Sequence, residues 1–171
     1  MQKSRALSPC MINEKNTKLL IYIAIVFSVL VLDRTSKIII LNILDNSGTV
    51  DIYINPFFSL YLVWNKGIGF GLFSYDQNYI YNGITLFILL INLIILYLIY
   101  KEESPKTYFL AIILGGSLGN LFDRYYYSAV PDFIDLNYNG YHWFIFNVAD
   151  IFITLGIICL ILAEFLNYKK Q

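Results

Sequence analysis

Charge is scarce in this chain, and that scarcity is the first constraint on it. Lysine and arginine number 12 and aspartate and glutamate 12 in 171 residues, 14% together, against about 25% in ordinary soluble domains. So few polar side chains cannot coat a globule of this size. The two signs cancel to a formal net charge of zero, which excludes the basic footprint of a nucleic-acid binder. Cysteine is almost missing: Cys10 falls in a polar N-terminal tail and Cys159 in an apolar run, with no C-x-x-C and no Cys/His metal spacing. A disulfide framework is therefore not expected. Histidine occurs once, as His142, and G-x-S-x-G not at all. Serine-nucleophile chemistry lacks its usual parts, and an Asp/Asn metal site would have no imidazole ligand. What the chain does have is apolar surface, 58% hydrophobic and 18% aromatic residues, too much to remain solvated as a disordered chain. Its length suits one domain.

A bilayer core needs about 20 mainly apolar residues in a helix. Four windows reach that length: 18–37, 80–100, 105–124 and 145–166. Ser104 followed by Pro105 reads as the start of the third, and Arg124 suits its carboxyl end. The first eighteen residues are too polar, and the first window too long, for a removable signal peptide. The expected organisation is a tail over 1–17 and a single four-helix membrane unit over 18–171. Lys and Arg in the flanking segments set the orientation. With both termini cytoplasmic the inside holds Lys3, Arg5, Lys15, Lys18, Lys101, Lys106, Lys169 and Lys170, and the outside only Arg34, Lys37, Lys66 and Arg124. All eight aspartates then fall at or near the outer side. The segment from Thr49 to Phe73 is β-branched and aromatic, broken by Asn, Pro and Gly, and reads as an outer β segment lying at the headgroups.

Ionisable and amide side chains at membrane depth mark sites by default. Asp33 and Lys37 stand four apart on one helix face and can pair; an interfacial ion pair anchoring a helix end accounts for them. Asn65, Lys66, Gly67, Gly69 and Gly71 form a glycine-rich stretch that a turn accounts for equally well. Gly115 and Gly119 read as close helix packing. Asn120, Asp123 and Arg124 share one face at the outer end of the third helix. Asn147 and Asp150 have the spacing of an N-cap and its N3 partner, while Asp132 and Asp135 lie in a connecting loop. Acids from a helix start and a neighbouring loop, meeting in an apolar setting, are the parts of an aspartic hydrolase. Like charges held close share a proton, so one member activates water and the other polarises a carbonyl.

These residues together resemble a known family, the bacterial lipoprotein signal peptidases (signal peptidase II). The resemblance rests on D33-R-T-S-K37, N65-K-G67 followed by Phe70, G116-S-L-G-N-L-F-D-R124, V130-P-D-F133 and F146-N-V-A-D150, in the family's order and among its four spans. It implies an α-helical membrane aspartic endopeptidase with a small extracytoplasmic β platform, acting as a monomer in the cytoplasmic membrane without metal or organic cofactor. Its substrate would be a prolipoprotein bearing diacylglyceryl-cysteine, cut before that cysteine. By motif, Asp132 and Asp150 match the catalytic dyad, and Asn120, Asp123, Arg124 and Asn147 match polar residues that support it. Asp33, Lys37, Asn65 and Gly67 match further positions around the site. In that setting the first turn of the last helix favours an ionised Asp150, and the apolar Phe133-Ile134 pair favours a protonated Asp132. Arg124 is expected to bias the pair. Two readings compete: another intramembrane aspartyl protease, with both acids on helices, and a small transporter subunit, whose polar groups would cross the bilayer instead of gathering at one edge.

Overall fold

A computed structural model describes residues 9–67, 78–102, 104–138 and 140–168. The elements in order are α1 (Pro9–Ser47), β1 (Asp51–Asn55), β2 (Phe58–Asn65), α2 (Asn78–Lys101), α3 (Lys106–Tyr127), β3 (Val130–Tyr138), β4 (Tyr141–Phe146) and α4 (Val148–Tyr168). Three helical stretches, Glu14–Ser47, Tyr79–Lys101 and Val148–Leu166, are long and apolar enough to cross a membrane. The fourth, α3, carries the glycines and the Asn120-Asp123-Arg124 face and is the helix that packs against all three others. Its polar groups are sheltered by protein, so its low hydropathy is no obstacle to lying among apolar neighbours.

Close packing around α3 depends on its glycines. A Cβ at Gly115 would stand 2.8 Å from the Val29 Cβ of α1, and one at Gly116 would stand 2.7 Å from the Ala149 carbonyl oxygen of α4. One at Gly119 would strike the Asp33 carboxylate. Absent side chains thus let α1 and α4 approach on either side, the small-residue packing expected for Gly115 and Gly119. The inner half of the bundle is filled by Tyr22, Ile95, Ile99, Ala111, Ile113 and Leu114. Outward-facing Leu20, Phe27, Leu86 and Phe165 are exposed, as side chains meant for lipid would be.

Two expectations are corrected here. The first helix does not end near Lys37: α1 runs to Ser47, ten residues farther, so Asp33 and Lys37 do not sit at a helix end. Thirty-nine residues span about 58 Å at 1.5 Å each, well beyond a bilayer core of about 30 Å. The helix stops at Gly48, whose φ of +75° suits only a residue without Cβ and whose N–H closes on the Leu44 carbonyl at 2.7 Å. The second correction concerns Asp132 and Asp135, expected in a connecting loop, which stand on β3 paired with β4, and the last helix, which begins at Val148 and not at 145. All four strands make one antiparallel sheet in the order β1-β2-β3-β4. The predicted β segment supplies β1 and β2, joined by a turn in which the Phe57 N–H donates to Asn55 Oδ1 at 2.9 Å; the remainder of it, 68–73, lies outside the described residues. Pro131 pairs with Trp64 of β2 but lies before β4 begins to pair at Ile134, so the strand has an open edge there, the setting that tolerates proline.

The sheet is tied to the bundle through Phe133, which packs with Ile40 of α1 and Val50. Opposite Phe133 the register of β2 slips, from Leu60↔Ile134 to Val63↔Asp132. A bulge of this kind bends the strand and re-aims side chains. It lies immediately beside Asp132.

Candidate active site

Five elements deliver polar side chains to one place. Asp33, Arg34 and Lys37 come from α1, Asn120, Asp123 and Arg124 from α3, Asn65 from the end of β2 with Gly67 just beyond, Asp132 from β3, and Asn147 and Asp150 from the start of α4. Asp33, Lys37, Asn65, Gly67, Asn120, Asp123, Arg124, Asp132, Asn147 and Asp150, all named in advance, stand in or beside this cluster. Phe70, Gly69 and Gly71 lie outside the described residues.

One half of the cluster is ionic. Lys37 is wholly buried, and its Nζ lies 2.8 Å from Asp33 Oδ1, 2.6 Å from Asp123 Oδ2 and 2.8 Å from Asn120 Oδ1. Three ammonium protons meet three acceptors, leaving no donor unsatisfied. Arg34 adds a second cation, with Nη2 2.6 Å from Asp123 Oδ1 and 3.3 Å from Asp33 Oδ2 and its guanidinium over the Phe122 ring. The Ala149 N–H of α4 donates to Asp33 Oδ1 at 3.1 Å. Two buried acids are therefore matched by two cations, and the pairing knits α1 to α3 and α4. The expected Asp33–Lys37 pair exists, buried in the protein and not at the interface. Arg34 was not singled out as a partner.

The other half holds Asp132 and Asp150, and it is built from amides. Asp132 Oδ1 accepts from Asn147 Nδ2 at 2.6 Å and Oδ2 from Asn65 Nδ2 at 2.9 Å. Asp150 Oδ1 accepts from Asn120 Nδ2 at 2.9 Å and Oδ2 from the Asn147 backbone N–H at 3.1 Å. The far end of each asparagine fixes which way it faces. Asn120 Oδ1 is held by Lys37, Asn65 Oδ1 by the Gly67 N–H at 2.9 Å, and Asn147 Oδ1 by the Asp150 N–H at 3.2 Å. With each oxygen engaged elsewhere, each NH₂ is turned toward an acid. The Asn147 and Asp150 exchange is the reciprocal capping box anticipated from their spacing.

Among the described residues no lysine or arginine forms an ion pair with Asp132 or Asp150. Asp132 is 4% exposed; its burial and the neighbouring Asp150 charge push its carboxyl up to about 6, against the pull of its two amide donors. Asp132 stands on a strand and not in a loop, and Phe133, the neighbour expected to desolvate it, packs instead against Ile40 and Val50, as alternation along a strand requires. Arg124 does not contact the pair. Its Nη2 donates to the Gly67 carbonyl at 2.5 Å, and its guanidinium lies over the Tyr81 ring. Among the described residues, its Nε and Nη1 are buried without a partner.

Both acids open onto one cavity of about 980 Å³, lined beside the polar cluster by apolar groups of α2 such as Ile84 and Phe87, of α4 such as Ile151 and Leu155, and by Phe146. Sequence reasoning also missed a third acid system. Asp135 is fully buried, and its Oδ2 accepts from Ser59 Oγ at 2.7 Å, Asn137 Nδ2 at 3.0 Å and His142 Nδ1 at 2.7 Å. Burial opposes ionisation, yet these donors together hold the carboxyl below its ordinary range. The dipeptide Asn139-Gly140, with apolar alternation on both sides, was a hairpin signal that would have placed Asp135 and His142 on adjoining strands.

Residues 25–166 match the family model described as signal peptidase (SPase) II. A lipoprotein signal peptidase of Pelagibacter ubique is 54% identical over 161 residues, covering 93% of this chain and 95% of its own. One from Anaplasma phagocytophilum is 40% identical over 151 residues, 86% of this chain and 93% of its own. Among solved structures, a bacterial membrane enzyme determined by the in meso method at 2.3 Å is similar with a TM-score of 0.73 at 25% identity, over 88% of this chain and 90% of that one.

Proposed function

The chain belongs to the signal peptidase II family, and from that premise we infer that it removes the signal peptide from diacylglyceryl-modified prolipoproteins, cutting before the lipidated cysteine. One observation carries the assignment of the chemistry. Asp132 and Asp150 share an apolar cavity, each clasped by amide N–H groups and neither neutralised by a cation. Two such acids cannot both ionise cheaply, so they share a proton. Asp150, at a helix N-terminus with two N–H donors, is the member suited to carry the charge. Asp132, raised by burial and by its neighbour, is the member suited to hold the proton.

In the reaction Asp150 takes a proton from water as the oxygen attacks the scissile carbonyl, and Asp132 gives its proton to the carbonyl oxygen. Collapse of the tetrahedral adduct breaks the C–N bond. The proton held by Asp150 passes to the departing cysteine nitrogen, and Asp132 recovers its own from the hydroxyl. Arg124 lines the cavity, and its Nε and Nη1, without a partner among the described residues, suit substrate carbonyl oxygens. Apolar walls suit the diacylglyceryl chains, at roughly 0.8 kcal/mol per buried CH₂ as an upper guide.

The wider setting belongs to the same proposal. The domain is a single unit from residue 18 onward, following a cytoplasmic tail. Four helices span the bacterial inner membrane, both termini face the cytoplasm, and the protein acts as a monomer with its site toward the outer face. The sheet then lies on the outer surface, where exposed Tyr53, Phe57, Tyr138, Tyr141 and Trp143 suit the headgroup region. A reporter fused at Lys170 remains inside on this reading, and its export would reverse the topology. The direct test incubates the purified protein in detergent with a diacylglyceryl prolipoprotein and with its unlipidated form. Release of the signal peptide from the first alone is expected. Absence of release from either would remove the function, and equal rates would remove the lipid requirement.

A further inference from the structure

Asp132 lines two cavities. Besides the large apolar one, a smaller cavity of about 380 Å³ is lined by Val63, Trp64, Lys66, His142 and Trp143, and it shares Asn65, Gly67, Asp132, Phe144 and Ile145 with its neighbour. A peptide bond held at the two aspartates must leave in two directions. On the proposed function, the chain before the cut is an apolar signal peptide, and the cysteine itself bears lipid. Both belong with the apolar walls of the large cavity. Only the chain after the cysteine is polar, and only the smaller cavity offers it a cationic Lys66 and an imidazole.

We propose that the smaller cavity receives the first residues after the lipidated cysteine and that His142 fixes them by accepting a backbone N–H at Nε2. This inference rests on the proposed function and adds a subsite to it. Its support is the way His142 is held. An ionised carboxylate only accepts, so the contact with Asp135 Oδ2 at 2.7 Å places a proton on Nδ1. A ring that is neutral in this orientation presents its lone pair on Nε2, the ring nitrogen not engaged by Asp135. The His142 side chain is 52% exposed, whereas Asp135 is wholly buried. Ser59 of β2 and Asn137 of β3 pin the carboxylate, and the Tyr61 ring flanks the imidazole at 5.6 Å. Three strands thus fix the orientation of one half-exposed ring beside the cavity that reaches Asp132. Asp135 is accordingly a positioning residue, acting through His142.

The test uses two diacylglyceryl peptides with the same signal sequence, one ending at the cysteine as its amide and one continuing for four residues. His142→Ala is expected to lower kcat/KM for the longer peptide by about 3- to 10-fold, the loss of one hydrogen bond, mainly through KM, and to leave the shorter peptide within about 2-fold. His142→Gln, whose Oε1 still accepts, restores most of the loss, and Asp135→Ala reproduces it. If the wild-type protein binds the short peptide without cutting it, its inhibition constant replaces kcat/KM in the same comparison. An equal fall for both peptides would mean that His142 only braces the sheet, and no fall for the longer one would mean that it touches nothing; either overturns the subsite while leaving the proposed function standing. Wild-type protein that cuts neither peptide overturns both.

Discussion

Around Asn120 four aspartates stand in two pairs, satisfied in opposite ways. Asp33 and Asp123 are matched by Lys37 and Arg34, whereas Asp132 and Asp150 are met only by the N–H groups of asparagines. Asn120 touches both pairs, with Oδ1 on Lys37 and Nδ2 on Asp150. Removing the charge of an acid paired with a buried cation would strand that cation. Acids held by neutral donors keep the choice of taking a proton. Asp132, 4% exposed, is nearly as buried as Asp33 and Asp123, so burial alone separates structure from chemistry less well than the identity of the donors does.

The strongest test of this contrast replaces each kind of acid. Asp132→Asn or Asp150→Asn should cut prolipoprotein cleavage by roughly 10³-fold or more, within the range assigned to general acid–base catalysis, while the protein still folds. Asp135→Asn, which keeps an accepting oxygen toward His142, should remain within about 10-fold of wild type. Full activity in Asp132→Asn would end the dyad assignment.

The ionic pair should fail differently. Lys37→Met strands two buried carboxylates and is expected to cost about 3 to 5 kcal/mol of stability, read as a fall in Tm in detergent that the dyad variants do not share. A Lys37→Met protein that unfolds normally yet is inactive would move Lys37 from structure to chemistry.

A smaller effect is expected from pH. With Asp132 pushed up to about 6, kcat/KM should fall as pH rises beyond that value and the pair loses its shared proton, with apparent values belonging to the pair. Stability follows the same sign at this group. The folded state holds the Asp132 proton more tightly than the unfolded chain, so that contribution is full below the ordinary carboxylate range and is lost as pH rises through about 6. Asp135, held low, contributes in the reverse sense, and its share is lost as pH falls below that range. A rate still climbing well above neutrality would contradict a shared proton.

The least effect is predicted for an amide that satisfies nothing. Asn92 of α2 is 1% exposed, and among the described residues neither of its amide atoms has a partner. Asn92→Leu should raise stability by about 1 kcal/mol, the penalty of an unmet buried polar group, and leave cleavage unchanged. A loss of cleavage would show that this amide, like the other asparagines, has work to do.

Whatever depends on near neighbours in the chain was legible before the structure. Apolar runs of sufficient length marked the helices, and the spacing of Asn147 and Asp150 marked a cap that the geometry reproduces. The order of short motifs around Asp132 and Asp150 carried the family. Partners far away in the sequence were what remained hidden. Asp33 and Lys37 looked like a helix end because charges at depth need company, and their company, Asp123, lies 86 residues beyond Lys37. Asp135 looked like an ordinary loop acid because its Ser59 donor is 76 residues distant and the hairpin that aligns His142 had been read as a loop. Local periodicity and caps follow from backbone geometry a few residues long. Whether a buried acid meets a lysine, an amide or another acid is decided only when the helices and the sheet close upon it.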